Sequence, residues 1–160
     1  MGEYKSGAFH PSSITVHAAD ANGDVPPLRT IEGDLTGLNW PMGLDVDLVH
    51  NEIALANYGD SSVRVFRRGY SGNVQPVRVI RGAATQIVGP VSVAIDTKND
   101  EIWVANYGDH TAVVFARTAS GNVKPKRIVR NAPVNAPTCG FTNASAAAYD
   151  SKRDAILVPN

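Results

Sequence analysis

Residues 57–81 read NYGDSSVRVFRRGYSGNVQPVRVIR, and residues 106–130 read NYGDHTAVVFARTASGNVKPKRIVR. Aligned at an offset of 49 residues, the two stretches are identical at 14 of 25 positions. Internal repetition with a period of 20–50 residues is typical of arrays in which each repeat forms one supersecondary unit. The sequence therefore predicts a repeat fold in which several similar units stack on one another.

Within one unit, the apolar residues recur with the period of two that indicates β-strands rather than the period of 3.6 that indicates helices. The apolar runs are short and end in turn residues such as Asp, Asn and Gly, which tolerate left-handed backbone conformations. We predict an all-β fold with four strands per unit, called a to d. In the second copy of the repeat they span residues 91–96, 101–106, 111–116 and 125–130.

The same offset places equivalent strands along most of the chain, which is predicted to be a single repeat domain over residues 1–160. The predicted total is twelve strands, which equals the number in three complete units. After a flexible start at residues 1–7, we predict strands c and d within 8–33, full units at 41–82 and 90–131, and strands a and b within 144–160.

Three of these runs carry a family resemblance. Pro90–Asp96 (PVSVAID), Glu101–Asn106 (EIWVAN) and residues 113–115 together resemble an NHL-type repeat of the six-bladed β-propeller superfamily, and residues 41–66 resemble a second copy. The resemblance implies four-stranded blades around a channel, with the b–c and d–a loops gathered at the channel mouth. It also implies a range of roles, from interaction platforms and sensors to enzymes such as gluconolactonases and streptogramin lyases, and slightly favours an extracellular or periplasmic location.

Three blades are too few for a closed ring, since propellers have four to eight. Strands a and b at the C-terminal end are those lacking at the N-terminal end. We therefore predict a half-propeller that closes as a C2 homodimer with two composite blades, because a closed two-fold assembly leaves no sheet edge bare. The alternative is that the chain is a piece of a longer one.

The predicted ligand-binding residues lie in the mouth loops. An asparagine begins each b–c loop, and a ring of such amides is suited to bind water, a polyol or a calcium ion; alternatively each asparagine fixes its own turn. Aromatic residues of the mouth are predicted either to grip an apolar ligand or to staple neighbouring blades. The candidates are Asn57, Tyr58, Asp60, Asn106, Tyr107, Asp109, His110, Asn160, Trp40 and Phe141, of which Asn57, Asn106 and Asn160 are the metal-ligand candidates.

Other repeated polar residues have simpler interpretations. Aspartates at the end of each strand a are predicted to form turns, and arginines of the outer strands are predicted to form a solvated edge that discourages strand addition. The aspartates are Asp47, Asp96 and Asp150, and the arginines are Arg29, Arg78, Arg81, Arg127 and Arg130.

Composition narrows the possible functions. Fifteen basic residues balance fifteen acidic ones, so the chain lacks the basic surplus of a nucleic-acid-binding protein, and no apolar run is long enough for a transmembrane helix. The four histidines are not at metal-ligand spacing, and Cys139 is the only cysteine. We predict a non-catalytic binding or scaffold module for a small molecule or a protein, without a cofactor. The alternative is a metal-dependent hydrolase or lyase with its metal at the channel.

Overall fold

The computed structural model describes residues 12–130 and 146–158 with their side chains, and residues 3–5 and 8–10 as backbone. Within these residues, strands form five antiparallel sheets joined by turns and three short 3₁₀ segments, which confirms the all-β prediction. The 3₁₀ segments are Asp34–Thr36, Tyr58–Asp60 and Ala83–Thr85. The strands are β1 (Glu3–Lys5), β2 (Ala8–His10), β3 (Ser13–Val16), β4 (Arg29–Glu32), β5 (Pro41–Asp47), β6 (Glu52–Asn57), β7 (Ser62–Arg67), β8 (Arg78–Arg81), β9 (Pro90–Asp96), β10 (Glu101–Asn106), β11 (Thr111–Ala116), β12 (Arg127–Val129), β13 (Ala148–Asp150) and β14 (Ala155–Leu157).

Two of the sheets have four strands in sequence order, which we call unit 1 (β5–β8) and unit 2 (β9–β12). Each strand pairs antiparallel with the next, so the chain runs up and down from the first strand to the last. The predicted strands b and c of unit 2 match β10 and β11 residue for residue, because turn residues mark both ends of each run. Strand d is shorter than predicted, since pairing begins only after Pro125.

The start of the chain differs from the predicted flexible segment. Strand β1 (Glu3–Lys5) pairs with β2 (Ala8–His10), with Tyr4 and Phe9 at facing register positions. Aromatic residues have high strand propensity, and here this propensity outweighs that of the small and polar residues around Tyr4 and Phe9. Further along, β3 and β4 form the expected two-stranded c–d hairpin.

Consecutive sheets pack face to face. Between units 1 and 2 lies the main core, in which Phe115 of unit 2 packs against the buried aliphatic residues of unit 1. The equivalent Phe66 of unit 1 packs in the same way against Ile14 and Ile31 of the β3–β4 hairpin. Each sheet therefore buries one face against the sheet before it. The main core consists of Ala54, Ala56, Val63, Val65, Ile80, Ile87, Val93, Ile95, Ile102, Val104, Val113 and Phe115.

A second contact, which we call the clasp, joins each sheet to the next. Gly72, in the c–d loop of unit 1, exchanges backbone hydrogen bonds with β4, and Gly121 does the same with β8. The following asparagines, Asn73 and Asn122, each accept a backbone N–H from the 3₁₀ segment beyond the outer strand, at 2.8 Å. The repeated Ser-Gly-Asn sequence thus fastens a loop of each unit to the outer edge of its predecessor.

Aspartates end the first strand of three of the sheets, β5, β9 and β13, as predicted. The side chain of Asp47 accepts the backbone N–H groups of Val49 and His50, and Asp96 accepts those of Lys98 and Asn99. Asp150 makes the same turn in the β13–β14 hairpin. The predicted turn-forming role of the three aspartates is confirmed.

The first strands of units 1 and 2, β5 and β9, which we call the inner strands, differ in how far neighbouring strands bury them. Strand β9 lies between β5 and β13, and its Val93 is only 2% exposed. Leu44 occupies the equivalent position in β5 and is 48% exposed. Met42 and Val46 on the same face are also exposed, while their equivalents Val91 and Ile95 are buried. The preceding hairpin β3–β4 covers the outer part of unit 1, so the β5 face stays open.

Candidate ligand-binding cleft

The mouth loops of the two units lie at the same end of their sheets. In each unit the first strand begins where the second strand ends, because the two are antiparallel. The backbone N–H of Tyr58 donates to the carbonyl of Trp40 at 3.1 Å, and the N–H of Tyr107 donates to that of Gly89 at 3.0 Å. The d–a loop and the b–c loop are thereby tied together in the same way in both units.

Between these two tied loops lies a cleft of about 340 Å³. Its walls are the aromatic side chains of Trp40, Tyr58 and Tyr107, and Met42 and Val91 complete its lining. The Trp40 and Tyr58 rings are 5.2 Å apart at an angle of 63°, so they form two adjacent walls rather than a stack. The structure thus brings together three of the predicted mouth aromatics. Met42 and Val91 were not predicted here, although their places near the start of the inner strands could have indicated it.

Trp40 has a strained backbone. Its φ of +53° lies in the left-handed region, which costs roughly 1–2 kcal/mol for a residue with a Cβ. At the equivalent position unit 2 has Gly89, with φ of +55°. A Cβ on Gly89 would lie 3.2 Å from the Tyr58 ring, so glycine there also makes room for one wall of the cleft. Unit 1 therefore keeps a half-exposed tryptophan, 48% accessible, where the backbone geometry favours glycine.

The two described mouth asparagines are fully buried. The Asn57 amide oxygen accepts the N–H of Asn39, and its nitrogen donates to Asp60 and to the carbonyl of Gly37. Asn106 likewise accepts the N–H of Val88 and donates to the carbonyl of Gln86 and to Thr111. This geometry fits the alternative in which each asparagine fixes its own loops. Binding of a ligand or calcium by these amides stays a prediction, and Asn160 lies outside the described residues.

The remaining candidates lie around the cleft. Asp60 pairs with Arg64 at 2.7 Å, and Asp109 accepts a hydrogen bond from the Thr111 hydroxyl. The His110 ring, exposed and also at positive φ, lies 6.2 Å from that of Tyr107 in an edge-to-face arrangement. Phe141 lies outside the residues that the structure describes.

At the opposite end of the sheets, one of the outer-strand arginines, Arg78, is not part of a solvated edge. Arg78 donates two hydrogen bonds to Glu52, at 2.9 and 2.6 Å, and only 16% of its side chain is exposed. Arg117 of unit 2 also reaches Glu52, at 3.3 Å, so this ion pair crosses between the units. The solvated-edge prediction is wrong for Arg78, because the buried carboxylate of Glu52 neutralises it. The sequence alone does not show that these two residues are paired.

The equivalent carboxylate of unit 2, Glu101, binds Arg127 and Lys126. Hydrogen bonds from Arg78 hold the pKa of Glu52 below its ordinary value, and those from Arg127 do the same for the pKa of Glu101, in both cases against the opposing effect of burial. Both carboxylates are therefore ionised and structural. Neither faces a cavity in which it could act as an acid or a base on a substrate.

Within residues 12–130 and 146–158, no group of three or more His, Cys, Asp or Glu side chains is placed to hold a metal ion. Among the same residues, no helix is long and apolar enough to cross a membrane. Neither the protein-family models nor the curated proteins searched contain a match to this chain. The NHL-type resemblance therefore stays a prediction.

Proposed function

We propose that units 1 and 2 are blades of a β-propeller and that two copies of the chain form a six-bladed ring. The support is the 49-residue period, the sequence-order four-stranded sheets and their face-to-face packing through the inner strands. The repeats have the length and strand content that blades require.

The faces left open at the two ends of the described array are complementary. At one end β5 exposes Leu44, Met42 and Val46. At the other, the β13–β14 hairpin exposes Ala148 and Leu157 on the face turned away from unit 2. Close packing of a small residue also occurs within the chain, where a Cβ on Gly43 of β5 would lie 2.8 Å from the carbonyl oxygen of Val91 in β9. A second copy therefore offers the kind of surface that β5 lacks.

Light scattering of the 160-residue chain tests this assembly. We expect a mass twice the 17.0 kDa of one chain, and a monomer for Leu44→Asp, because a carboxylate on the β5 face cannot be buried unpaired. Leu28→Asp is the matched control, since Leu28 is also exposed, at 69% against 48% for Leu44, but lies beside the outer strand β4. A wild-type chain that stays a 17 kDa monomer at high micromolar concentration excludes the dimer.

We propose further that the chain is a binding module and that its ligand occupies the aromatic cleft. One observation carries this proposal, namely that Trp40 is half exposed and held at a strained positive φ where unit 2 has glycine. Strain of this kind concentrates at functional sites, because the fold gains nothing from it. An apolar cleft with a few polar atoms at its rim is also the usual form of a small-molecule site.

The test is a fragment titration followed by amide NMR. Small apolar fragments should shift the amide signals of residues 40–42, 58, 91 and 107 and leave those of the β12 edge unchanged. Trp40→Gly should abolish these shifts. The matched control is Trp103→Phe, which changes the other tryptophan, a residue beneath Arg127 that does not line the cleft. Fragments that bind equally well to Trp40→Gly would show that the site lies elsewhere.

The alternative function, a metal-dependent hydrolase or lyase, gains no support from the described residues. It would need a non-repeated set of oxygen or nitrogen ligands at the mouth, and the described carboxylates there already have partners in the protein: Asp60 pairs with Arg64, and Asp109 accepts from Thr111.

A further inference from the structure

Among the described residues, aromatic rings and aliphatic side chains line the cleft and no charged residue does. Its three rings belong to Trp40, Tyr58 and Tyr107, and the other lining residues are Met42 and Val91. The face of an aromatic ring carries negative potential, and tryptophan gives the strongest such surface. The Trp40 and Tyr58 rings, at 63° to each other, line the cleft from unit 1, and the Tyr107 ring lines it from unit 2. Such an arrangement favours a compact cation over a flat ligand.

Two carboxylates follow the wall tyrosines in the sequence. Asp60 and Asp109 each lie two residues after a wall tyrosine. Asp60 is balanced by Arg64 and, at 3.8 Å, by Arg81. Asp109 accepts the Thr111 hydroxyl, and among the described residues no Lys or Arg pairs with it. Among the described residues, no Lys or Arg lines the cleft itself.

We propose that the cleft binds the trimethylammonium group of a small molecule of the choline type. This inference rests on the proposed function of the cleft and specifies its ligand. A trimethylammonium group has no N–H to donate, so it needs no hydrogen-bond acceptors from the walls, and its methyl groups suit the apolar lining. Its charge is stabilised by the aromatic rings, which is the physical basis of aromatic cages.

The decisive experiment compares choline with 3,3-dimethyl-1-butanol, in which a carbon atom replaces the ammonium nitrogen and the charge is lost. Both are titrated into the 160-residue chain and followed through the amide signals of residues 40, 58, 91 and 107. We expect choline to bind roughly threefold to thirtyfold more tightly, the range of cation–π stabilisation between exposed and desolvated sites. In Trp40→Leu the preference for choline should fall by at least about twofold without vanishing, since the wall stays apolar but loses its strongest ring while the rings of Tyr58 and Tyr107 remain.

Trp103→Phe should keep the full preference for choline, and circular dichroism checks that each variant keeps its fold. Equal binding of the two probes to the wild-type chain overturns the cation proposal but leaves the cleft as an apolar site. If choline shifts no cleft amide up to 50 mM or so, the proposal also fails, and the apolar fragments then decide independently whether the cleft is a binding site.

Discussion

Units 1 and 2 have the same four strands, the same turns and the same clasp, yet they differ at the inner strand and at the mouth. Strand β9 of unit 2 is buried on both faces, whereas β5 of unit 1 has one open apolar face. At the mouth, unit 2 has Gly89 and unit 1 has Trp40, with nearly equal φ. The parts that agree hold the fold together. The features that differ are the β5 face and Trp40, and both are exposed apolar surfaces on a backbone that is otherwise the same in the two units.

The largest expected effect distinguishes the two inner strands. Val93→Asp places an unpaired carboxylate in the main core and should cost more than about 4 kcal/mol, most of the stability of a typical domain. Leu44→Asp, the same change at the equivalent position, should cost less than about 1 kcal/mol of monomer stability and act on association instead. Urea denaturation measures both variants. Similar losses for both would show that the β5 face is buried.

The next comparison concerns the buried carboxylates. Glu52→Gln should cost about 3 kcal/mol, because it leaves the guanidinium group of Arg78 buried without a counter-charge and leaves Arg117 with Asp100 as its remaining partner. Glu101→Gln should cost only about 1 kcal/mol, since Arg127 and Lys126 are roughly half exposed. Thermal and urea denaturation at neutral pH give both values. An equal cost would mean that the link to Arg117 contributes nothing.

The same carboxylates predict a dependence on pH. Both have a pKa in the folded state that is lowered from the ordinary value of 4.5, so unfolding takes up protons below that pH. Their stabilisation is fully present above pH 4.5 and is lost as the pH falls through the lowered pKa values. The acid-side decline in stability should therefore be shallower in Glu52→Gln than in the wild-type chain. A decline of unchanged slope would contradict this assignment.

A smaller effect measures the strain at Trp40. Trp40→Gly and Trp40→Ala remove the same indole, and they differ only in the Cβ at φ of +53°. We expect the glycine variant to be more stable by about 1 kcal/mol, the reverse of the usual order of these two residues. Leu48, in the a–b turn and without a positive φ, is the control position, where alanine should be the more stable. Urea denaturation compares the four variants, and a more stable Trp40→Ala would exclude the strain.

The smallest effect is expected in the a–b turns. His50 and Asn99 make matching contacts, each giving a backbone N–H to the preceding aspartate and a side-chain nitrogen to its second oxygen at 2.7 Å. His50→Asn should therefore change stability by less than about 0.5 kcal/mol. His50→Ala, which loses the side-chain contact, is the comparison. A loss above 1 kcal/mol in His50→Asn would show that the two turns are not interchangeable.

The period and the turn residues were sufficient to predict the strands of units 1 and 2, because turn residues are read locally and the repeat places them twice; strand d was predicted too long, and the β1–β2 hairpin was not predicted. The burial of Arg78 was not predictable, because its partner Glu52 lies 26 residues away and only the paired strands bring them together. The cleft was predictable in part. The aromatics were expected at the mouth, but the strain at Trp40 could be suspected only by noticing that the other repeat has glycine there. The buried amides of Asn57 and Asn106 depend on loops whose path the sequence does not reveal.

The clasp also bears on how such a chain can evolve. Each 49-residue segment contains both the Ser-Gly-Asn loop that fastens to the unit before it and the outer strand that receives the loop of the unit after it. A tandem duplication of one segment therefore supplies a new unit with both of its attachments at once. Gene duplication can lengthen the array by whole units without any compensating mutation, whereas insertion of a partial segment would leave one attachment without its counterpart.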